Sequence, residues 1–290
     1  MYEIKFAIPY MENGLKYLYK RAFPLDSSDI VNAFFERCVS YDNCLVVLDE
    51  NRVASALYFF CAKICLNGKK IPAYYIYAVG TLPEYRNKGF VTLLLNQVRK
   101  VAAQRNIDYL FLLPQTEKLY TFYEKRGFCR FFKKCEYSIS RTELSKYSKN
   151  GTMNVRFDLS SEKYNQIRKV CFSNDGNILW DNKHFKYSVF LNENSHGFMI
   201  LSENGYAMCS KPENNCVYIS ELAVLPNDFC NLMANIYESV ICDMYIFRTS
   251  QCQRFFSEQC VVSDQGMILC VDGHENIVSA KDPYLGLAME

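Results

Sequence analysis

Apolar residues recur along this 290-residue chain with two periods, and each change of period marks an element. From Ile71 to Leu82 they run almost without interruption and stop at Pro83, the pattern of a buried strand. Val91, Leu94, Leu95, Val98, Val101 and Ala102 then fall at the three- and four-residue spacing of one helical face, so a helix begins near Gly89. Ile107 to Leu113 predicts a short strand ended by Pro114; Thr116 to Arg126 predicts a helix closed by Gly127, and Phe128 opens a further strand. Upstream, the pattern predicts a strand over Tyr2 to Ile8, a helix over Met11 to Ala22, and a second helix capped by Asp26 or Ser27 and running to Val39. Cys44 to Leu48 and Val53 to Leu66 read as antiparallel strands joined through Asp49-Glu50-Asn51, with Asn67-Gly68 as the next turn. The fold class is α/β with a mixed sheet.

Between Glu143 and Asn154 the apolar period lapses into Ser, Lys, Asn and Gly, which predicts a linker and two domains, 1–145 and 146–290. After it the pattern restarts. Val217 to Leu225-Pro226 parallels Tyr74 to Leu82-Pro83, a helix-like stretch from Phe229 to Val240 follows, and Cys242 to Phe247 echoes Ile107 to Leu112. Within this repeat Phe229 stands for Arg86, Leu232 for Gly89, and Phe256 falls near the place of Tyr123, so the polar loop is lost from the second copy.

Composition narrows the classes. Half the residues are hydrophobic and the formal net charge is +2, which gives no basic surface for nucleic acid. The longest apolar candidate, Leu45 to Leu66, is broken by Asp49, Glu50, Asn51, Arg52 and Lys63, so no membrane span is expected. The 14 cysteines fall mostly singly within apolar patterns, as at Cys61, Cys65 and Cys171, and no signal segment opens the chain; a reducing cytoplasm fits them. Cys38, Cys44 and Cys129 lack partners at metal-ligand spacing, so no metal site is expected.

Chemistry concentrates where the strand gives way to the helix. Arg86-Asn87-Lys88-Gly89 forms a short loop whose glycine lets main chain approach a ligand. The first helical N–H groups have no internal partner, and they lie beside two cations at the positive end of the helix dipole. That combination favours an anion, a diphosphate above all, with the Thr92 hydroxyl as a further donor.

With the string Leu119-Tyr120-Thr121-Phe122-Tyr123-Glu124-Lys125-Arg126-Gly127-Phe128 added, the chain resembles the GNAT superfamily of N-acetyltransferases. That family carries Arg or Gln, two residues, Gly, one residue, then Gly or Ala after a strand, and later a Tyr-bearing helix ending in Gly-Phe. Arg86 and Gly89 match the first pattern, with Val91 in place of Gly or Ala; Tyr123, Gly127 and Phe128 match the second, with Thr116 where Asn is frequent. The resemblance implies a GNAT fold in two tandem copies, the second degenerate and similar to the noncatalytic half of acetyltransferases of the enhanced-intracellular-survival type. It implies acetyl-CoA as cosubstrate, its pantetheine arm held by main chain at Val79, Thr81 and Leu82 and its diphosphate at Arg86, Asn87, Lys88, Gly89, Phe90, Val91 and Thr92.

The implied reaction is acetyl transfer to a primary amine of a small molecule or peptide by direct attack on the thioester. It needs a donor to the departing thiolate, and Tyr123 takes that role by family position, with Tyr120 one turn away as the second candidate. The base is open among Glu12, Asp26, Asp29, Glu36, Glu221 and the terminal carboxylate of Glu290, whose apolar approach Asp282 to Met289 predicts a docked strand. Tyr75 and Tyr77 stand where some relatives carry a carboxylate. His184, His196 and Trp180 are open between groove and core, as are Tyr10, Phe34, Phe35, Tyr58 and Phe59 between acceptor wall and core. A coenzyme A-binding sensor or scaffold without turnover is the alternative, because a β-branched Val91 would crowd the diphosphate.

Overall fold

A computed structural model describes residues 2–149, 151–152, 160–273 and 280–289. In chain order the elements are β1 (Tyr2–Phe6), α1 (Glu12–Ala22), α2 (Ser28–Arg37), β2 (Cys44–Asp49), β3 (Arg52–Leu66), β4 (Lys69–Thr81), α3 (Phe90–Gln104), β5 (Tyr109–Leu112) and α4 (Glu117–Glu124). They continue with β6 (Cys129–Ser140), α5 (Arg141–Ser148), α6 (Ser161–Cys171), β7 (Ile178–Leu179), α7 (Asn182–Asn194), β8 (Phe198–Ser202), β9 (Gly205–Cys209), β10 (Cys216–Val224), α8 (Phe229–Ser239), β11 (Met244–Thr249) and β12 (Val261–Cys270). Most predicted elements fall within a few residues of these bounds. Ser27, not Asp26, caps α2, its hydroxyl accepting from the Ile30 amide at 3.2 Å.

The chain forms two units, but not at residue 145. The first comprises Met1–Lys63, Lys70–Arg130 and Gly266–Ser279; the second comprises Ile64–Lys69, Phe131–Gln265 and Ala280–Glu290. The reason is strand exchange. β6 follows α4 directly yet pairs with β11 in the second unit, whereas the end of β12 pairs with β5 in the first, Met267 opposite Leu112. The stretch expected to be a linker begins as α5, whose Ser140 and Glu143 form a reciprocal capping box. Asn150 and residues 153–154 of that stretch lie outside the described residues.

In the first unit the strand order runs β1-β2-β3-β4-β5 and ends on the returning strand. β4 and β5 are parallel; β1 with β2 and β2 with β3 are antiparallel. Two-residue alternation sorts the side chains onto two faces. Leu57, Phe59, Tyr74, Ile76, Leu110 and Leu112 pack with Leu94, Val98 and Val101 of α3 and Tyr120 and Tyr123 of α4. Tyr58, Phe60, Tyr75 and Tyr77 belong to the opposite face, an aromatic layer in which Phe34 of α2 lies 5.1 Å from Tyr58 and 5.5 Å from Tyr77, centroid to centroid. Phe34, Phe35, Tyr58 and Phe59 are thus core residues, each at most 7% exposed, while Tyr10 is exposed.

The second unit, taken alone, repeats the first: β8, β9 and β10 are antiparallel, a helical turn at Pro226–Asp228 leads into α8, and β11 returns parallel to β10 from Cys216 opposite Met244. Its chemistry differs. Here α8 starts at Phe229, straight after the turn, whereas α3 starts after a four-residue loop, Arg86 to Gly89. The carboxylate of Asp228, 3% exposed, sits at the helix start and accepts from the Asn204 amide at 2.6 Å and the Asn231 side chain at 2.8 Å. A fixed negative charge already occupies the position where the dipole would attract an anion.

The tail is buried from Tyr284 to Met289 but not as a strand. Its carbonyls are taken one by one: Pro283 O by the Lys133 amide, Tyr284 O by the Ile178 amide, Leu285 O by the Trp180 indole at 3.2 Å and Gly286 O by Gln265 at 3.2 Å. Scattered donors, two main-chain amides of β6 and β7 and two side chains, replace a ladder. Trp180 is therefore a core residue that anchors the tail. Of the cysteines expected to act as small hydrophobes, Cys65 is buried, Cys171 is half-buried and Cys61 is exposed.

Candidate active site

The site begins at a break in strand pairing. β4 and β5 pair from Ala73–Tyr109 to Tyr75–Phe111; β4 then continues to Thr81 without a described partner on that side. Ala78 has φ +47°, a left-handed conformation unusual for a residue with a Cβ. It shifts the alternation by one residue. Val79 consequently joins the α3 face, and Gly80 faces α1, where an added Cβ would lie 2.9 Å from Leu18 and 3.0 Å from Ala22. The strands part here and leave main-chain polar groups of β4 for another partner. Leu82 is already engaged, its N–H donating to Ala54 O at 3.0 Å and its carbonyl accepting from Tyr85 N at 2.9 Å. The Thr81 hydroxyl pairs with that of Ser55 at 2.8 Å.

The loop that follows is shaped by positive φ. Asn87 (+64°) and Gly89 (+78°) alternate with extended backbone at Arg86, and α3 starts at Phe90 without a side-chain cap. Among the described residues, the N–H groups of Asn87 to Thr92 make no main-chain hydrogen bond. Such a row of amides at a helix start is an anion cradle, and the dipole adds about 0.3–1 kcal/mol for a charge placed there. Nothing lies within 4 Å of a Cβ built on Gly89, so the glycine answers the backbone angle and leaves open space. Phe90, 3% exposed, sets its ring 4.7 Å from Tyr2, and its contribution to the cradle is its amide.

The cations divide. Arg86 is exposed, and its guanidinium has no hydrogen-bond or ion-pair partner among the described residues, while its amide donates to Pro83 O at 3.2 Å. Lys88 lies 4.8 Å from the Tyr85 ring centroid and 5.7 Å from that of Tyr2, whose hydroxyl it approaches at 3.3 Å. Glu84 turns outward to Arg52 at 2.5 Å. Val91 is half-buried, its side chain packed against the core cluster to which α3 contributes. The Thr92 hydroxyl, expected as a further donor to the anion, accepts from Arg126 Nε at 2.9 Å and keeps its own proton to donate. Arg126 is the residue that sequence reasoning passed over. Its guanidinium also donates to Phe122 O at 2.6 Å and lies 3.4 Å from the Phe122 ring centroid, bringing a third cation to α3 from the end of α4.

Tyr123 is 8% exposed, with Phe122 and Phe128 at 5.2 and 5.7 Å. Burial pushes its phenol up to about 12, against a small opposing pull from Arg126. Tyr120 lies under the Arg130 guanidinium at 4.5 Å.

The carboxylates expected as bases scatter. Glu12 is tied to Lys16 at 2.7 Å and to the Tyr41 hydroxyl at 2.6 Å, both of which hold it below the usual carboxylate range. Asp29 and Glu36 are exposed on α2. Glu221 is fully buried and bound to Arg168 at 2.9 Å and to the Tyr206 hydroxyl, which removes it from any proton traffic with solvent. Asp26 alone connects toward β4, through Tyr19 at 3.0 Å. Glu290 and His274 lie outside the described residues. His184 is buried against Trp180, its Nδ1 at 2.6 Å from the capping Asp181, and His196 sits at φ +60° just beyond α7. Among the described residues no helix is long and apolar enough to cross a membrane, and no cluster of three His, Cys, Asp or Glu side chains is placed to hold a metal.

This geometry coincides with the comparisons. Residues 11–131 match the family model described as an acetyltransferase (GNAT) domain. Among solved structures, a GCN5-related N-acetyltransferase from Kribbella flavida superposes with a TM-score of 0.74 at 15% identity, over 94% of this chain and 72% of that one. One from Anabaena variabilis gives 0.74 at 17%, over 93% and 73%, and Eis1 from Mycobacterium abscessus gives 0.71 at 12%, over 94% and 74%. At such identities the likeness is one of fold. Comparison with curated proteins gives no match. The matched segment holds the parted strand, the uncapped helix and the Tyr123 helix, and over residues 11–131 the chain is similar to GNAT acetyltransferase domains.

Proposed function

We propose that the protein is an acetyl-CoA-dependent N-acetyltransferase that transfers the acetyl group to a primary amine of a small molecule or peptide by direct attack on the thioester. The observation that carries the reading is the row of unpartnered amides from Asn87 to Thr92, bent by Asn87 and Gly89 and set where β4 leaves β5. The diphosphate lies against those amides and Arg86, and the pantetheine arm takes the main chain of β4 at Val79 and Thr81. Phe90, Val91 and Thr92 serve through their amides, and the Thr92 hydroxyl also holds Arg126.

Tyr123 donates a hydrogen bond to the departing thiolate. A phenol held at about 12 stays protonated at neutral pH, and it sits above a thiol near ~8.5. Its service is therefore charge stabilisation with the proton retained. The second unit binds no coenzyme, because the Asp228 carboxylate fills the start of α8; we assign it a supporting role. The packing of Val91 against the core cluster supports the transferase over a non-catalytic sensor. Free-thiol release from acetyl-CoA across a panel of amines tests the reading. Calorimetric binding of coenzyme A without release of thiol for any amine would leave only the sensor.

A further inference from the structure

One hydrogen-bonded chain in the first unit has no part in the site as drawn so far. Tyr77 follows the last β4–β5 pair by two residues and precedes the left-handed Ala78, so it stands at the mouth of the parted strands. Its hydroxyl is hydrogen-bonded to that of Tyr19 on α1. Tyr19 donates to Asp26 Oδ2 at 3.0 Å, and since a phenol has one proton to give, its oxygen accepts from Tyr77. Asp26 is half-buried, open to water at the end of the chain. The rings are held by Phe34, 5.2 Å from Tyr19 and 5.5 Å from Tyr77, and by Phe60, 5.9 Å from Tyr77.

We propose that Tyr77, Tyr19 and Asp26 form the proton exit of the acetyl transfer, with Tyr77 touching the acceptor nitrogen and the other two acting through it. The inference rests on the transferase reading above. As the amine lone pair forms the C–N bond, an N–H bond breaks and its proton passes to the Tyr77 oxygen. The Tyr77 proton moves to the Tyr19 oxygen, and the Tyr19 proton to Asp26, which releases it to water. The C–S bond then breaks and the thiolate leaves toward Tyr123. No phenolate is formed at any stage, which suits Tyr77, whose phenol burial pushes well up.

The direction of the relay follows from its surroundings. The titratable groups around it are the thiol of Cys38 after α2, the phenols of Tyr75 on β4 and Tyr58 on β3, the latter pushed up by burial, and Asp26 itself. Cations of α1 on that side are engaged elsewhere, Lys16 with Glu12 at 2.7 Å and Lys20 with the Ser28 hydroxyl at 3.1 Å. A carboxylate at one end of two neutral hydroxyls, with no charge between, draws protons one way.

The test uses the full chain with Tyr77→Phe, Tyr19→Phe and Asp26→Asn, an amine that the wild type acetylates, and thiol release followed from mildly acid pH to about pH 9.5. Each variant is expected to lose roughly 10²-fold in kcat near neutrality, with coenzyme A affinity unchanged by calorimetry. The deficit shrinks as pH rises, because hydroxide takes over the removal of the proton. A kcat within about twofold of wild type, or a deficit that is the same at every pH, overturns the relay. Asp26→Asn keeps the shape and hydrogen-bond acceptor of the carboxylate and decides the matter if a Tyr variant unfolds. A wild type that acetylates no amine overturns the transferase reading, and a working wild type with indifferent variants overturns the relay alone.

Discussion

Replacing Tyr123 with phenylalanine removes one oxygen and leaves the ring where Phe122 and Phe128 hold it, at 5.2 and 5.7 Å. The buried phenol titrates at about 12, so handing its proton outright to a thiolate whose thiol lies near ~8.5 is uphill by about 5 kcal/mol. What Tyr123 supplies is a hydrogen bond to a charge that exists only as the C–S bond breaks. Hydrogen bonds to charged groups contribute about 1.5–3 kcal/mol, which converts to a fall in kcat of roughly ten- to 150-fold. Because the charge is absent in the bound thioester, KM and the calorimetric Kd for coenzyme A stay at wild-type values. The assay is thiol release under saturating acetyl-CoA and amine, with circular dichroism to confirm the fold. A variant whose kcat stays within about twofold of wild type would refute the reasoning, and Tyr120→Phe would then be the next substitution to measure.

Four further outcomes are expected. Gly89→Ala meets no atom within 4 Å but must hold φ +78°, so it costs about 1–2 kcal/mol and a few degrees of Tm, while a Cβ in the path of the diphosphate weakens coenzyme A by more than about tenfold; unaltered affinity in calorimetry would sink the cradle. Gly286→Ala would drive a Cβ to 2.2 Å from Arg168 and 2.8 Å from Glu221 at φ +68°, so the tail must lift; thermal melting should drop steeply, and an unchanged Tm would show that the tail is not held there. Arg168→Met strands the fully buried Glu221 and should cost about 3–5 kcal/mol in denaturant unfolding, the penalty for an unpaired interior charge. Alkali should also unfold the protein. The phenols of Tyr58 and Tyr123 are raised in the folded state above about 10 in the unfolded chain, so the unfolded chain binds fewer protons and stability falls as pH climbs from about 10 through 12. A melting temperature flat across that window would contradict the burial of these hydroxyls.

Much of this was legible along the chain because it depends on near neighbours. The run from Ile71 to Leu82, the break at Pro83 and the apolar stripe from Val91 to Ala102 are local facts. They correspond to β4, the turn and α3 within two residues or so. Gly89 at φ +78° and Gly127 at +88° are where a glycine was needed. The repeat was readable for the same reason, since strand, turn and helix recur in order between Cys216 and Ser239.

The rest turned on partners distant in sequence. Periodicity cannot say that β12 returns to β5 across more than a hundred residues, so a division at 145 followed composition while the units followed pairing. The stretch after Glu143 looked irregular, yet a capping box reaching back to Ser140 made a helix of it. The Thr92 hydroxyl meets Arg126 and the Glu221 carboxylate meets Arg168, each across tens of residues. Short-range sterics and hydrogen bonds draw each element and its ends. Which charge is neutralised, which hydroxyl is left to meet a substrate and where two strands part are settled by packing between elements, where burial and Coulomb forces act through space without regard to order along the chain.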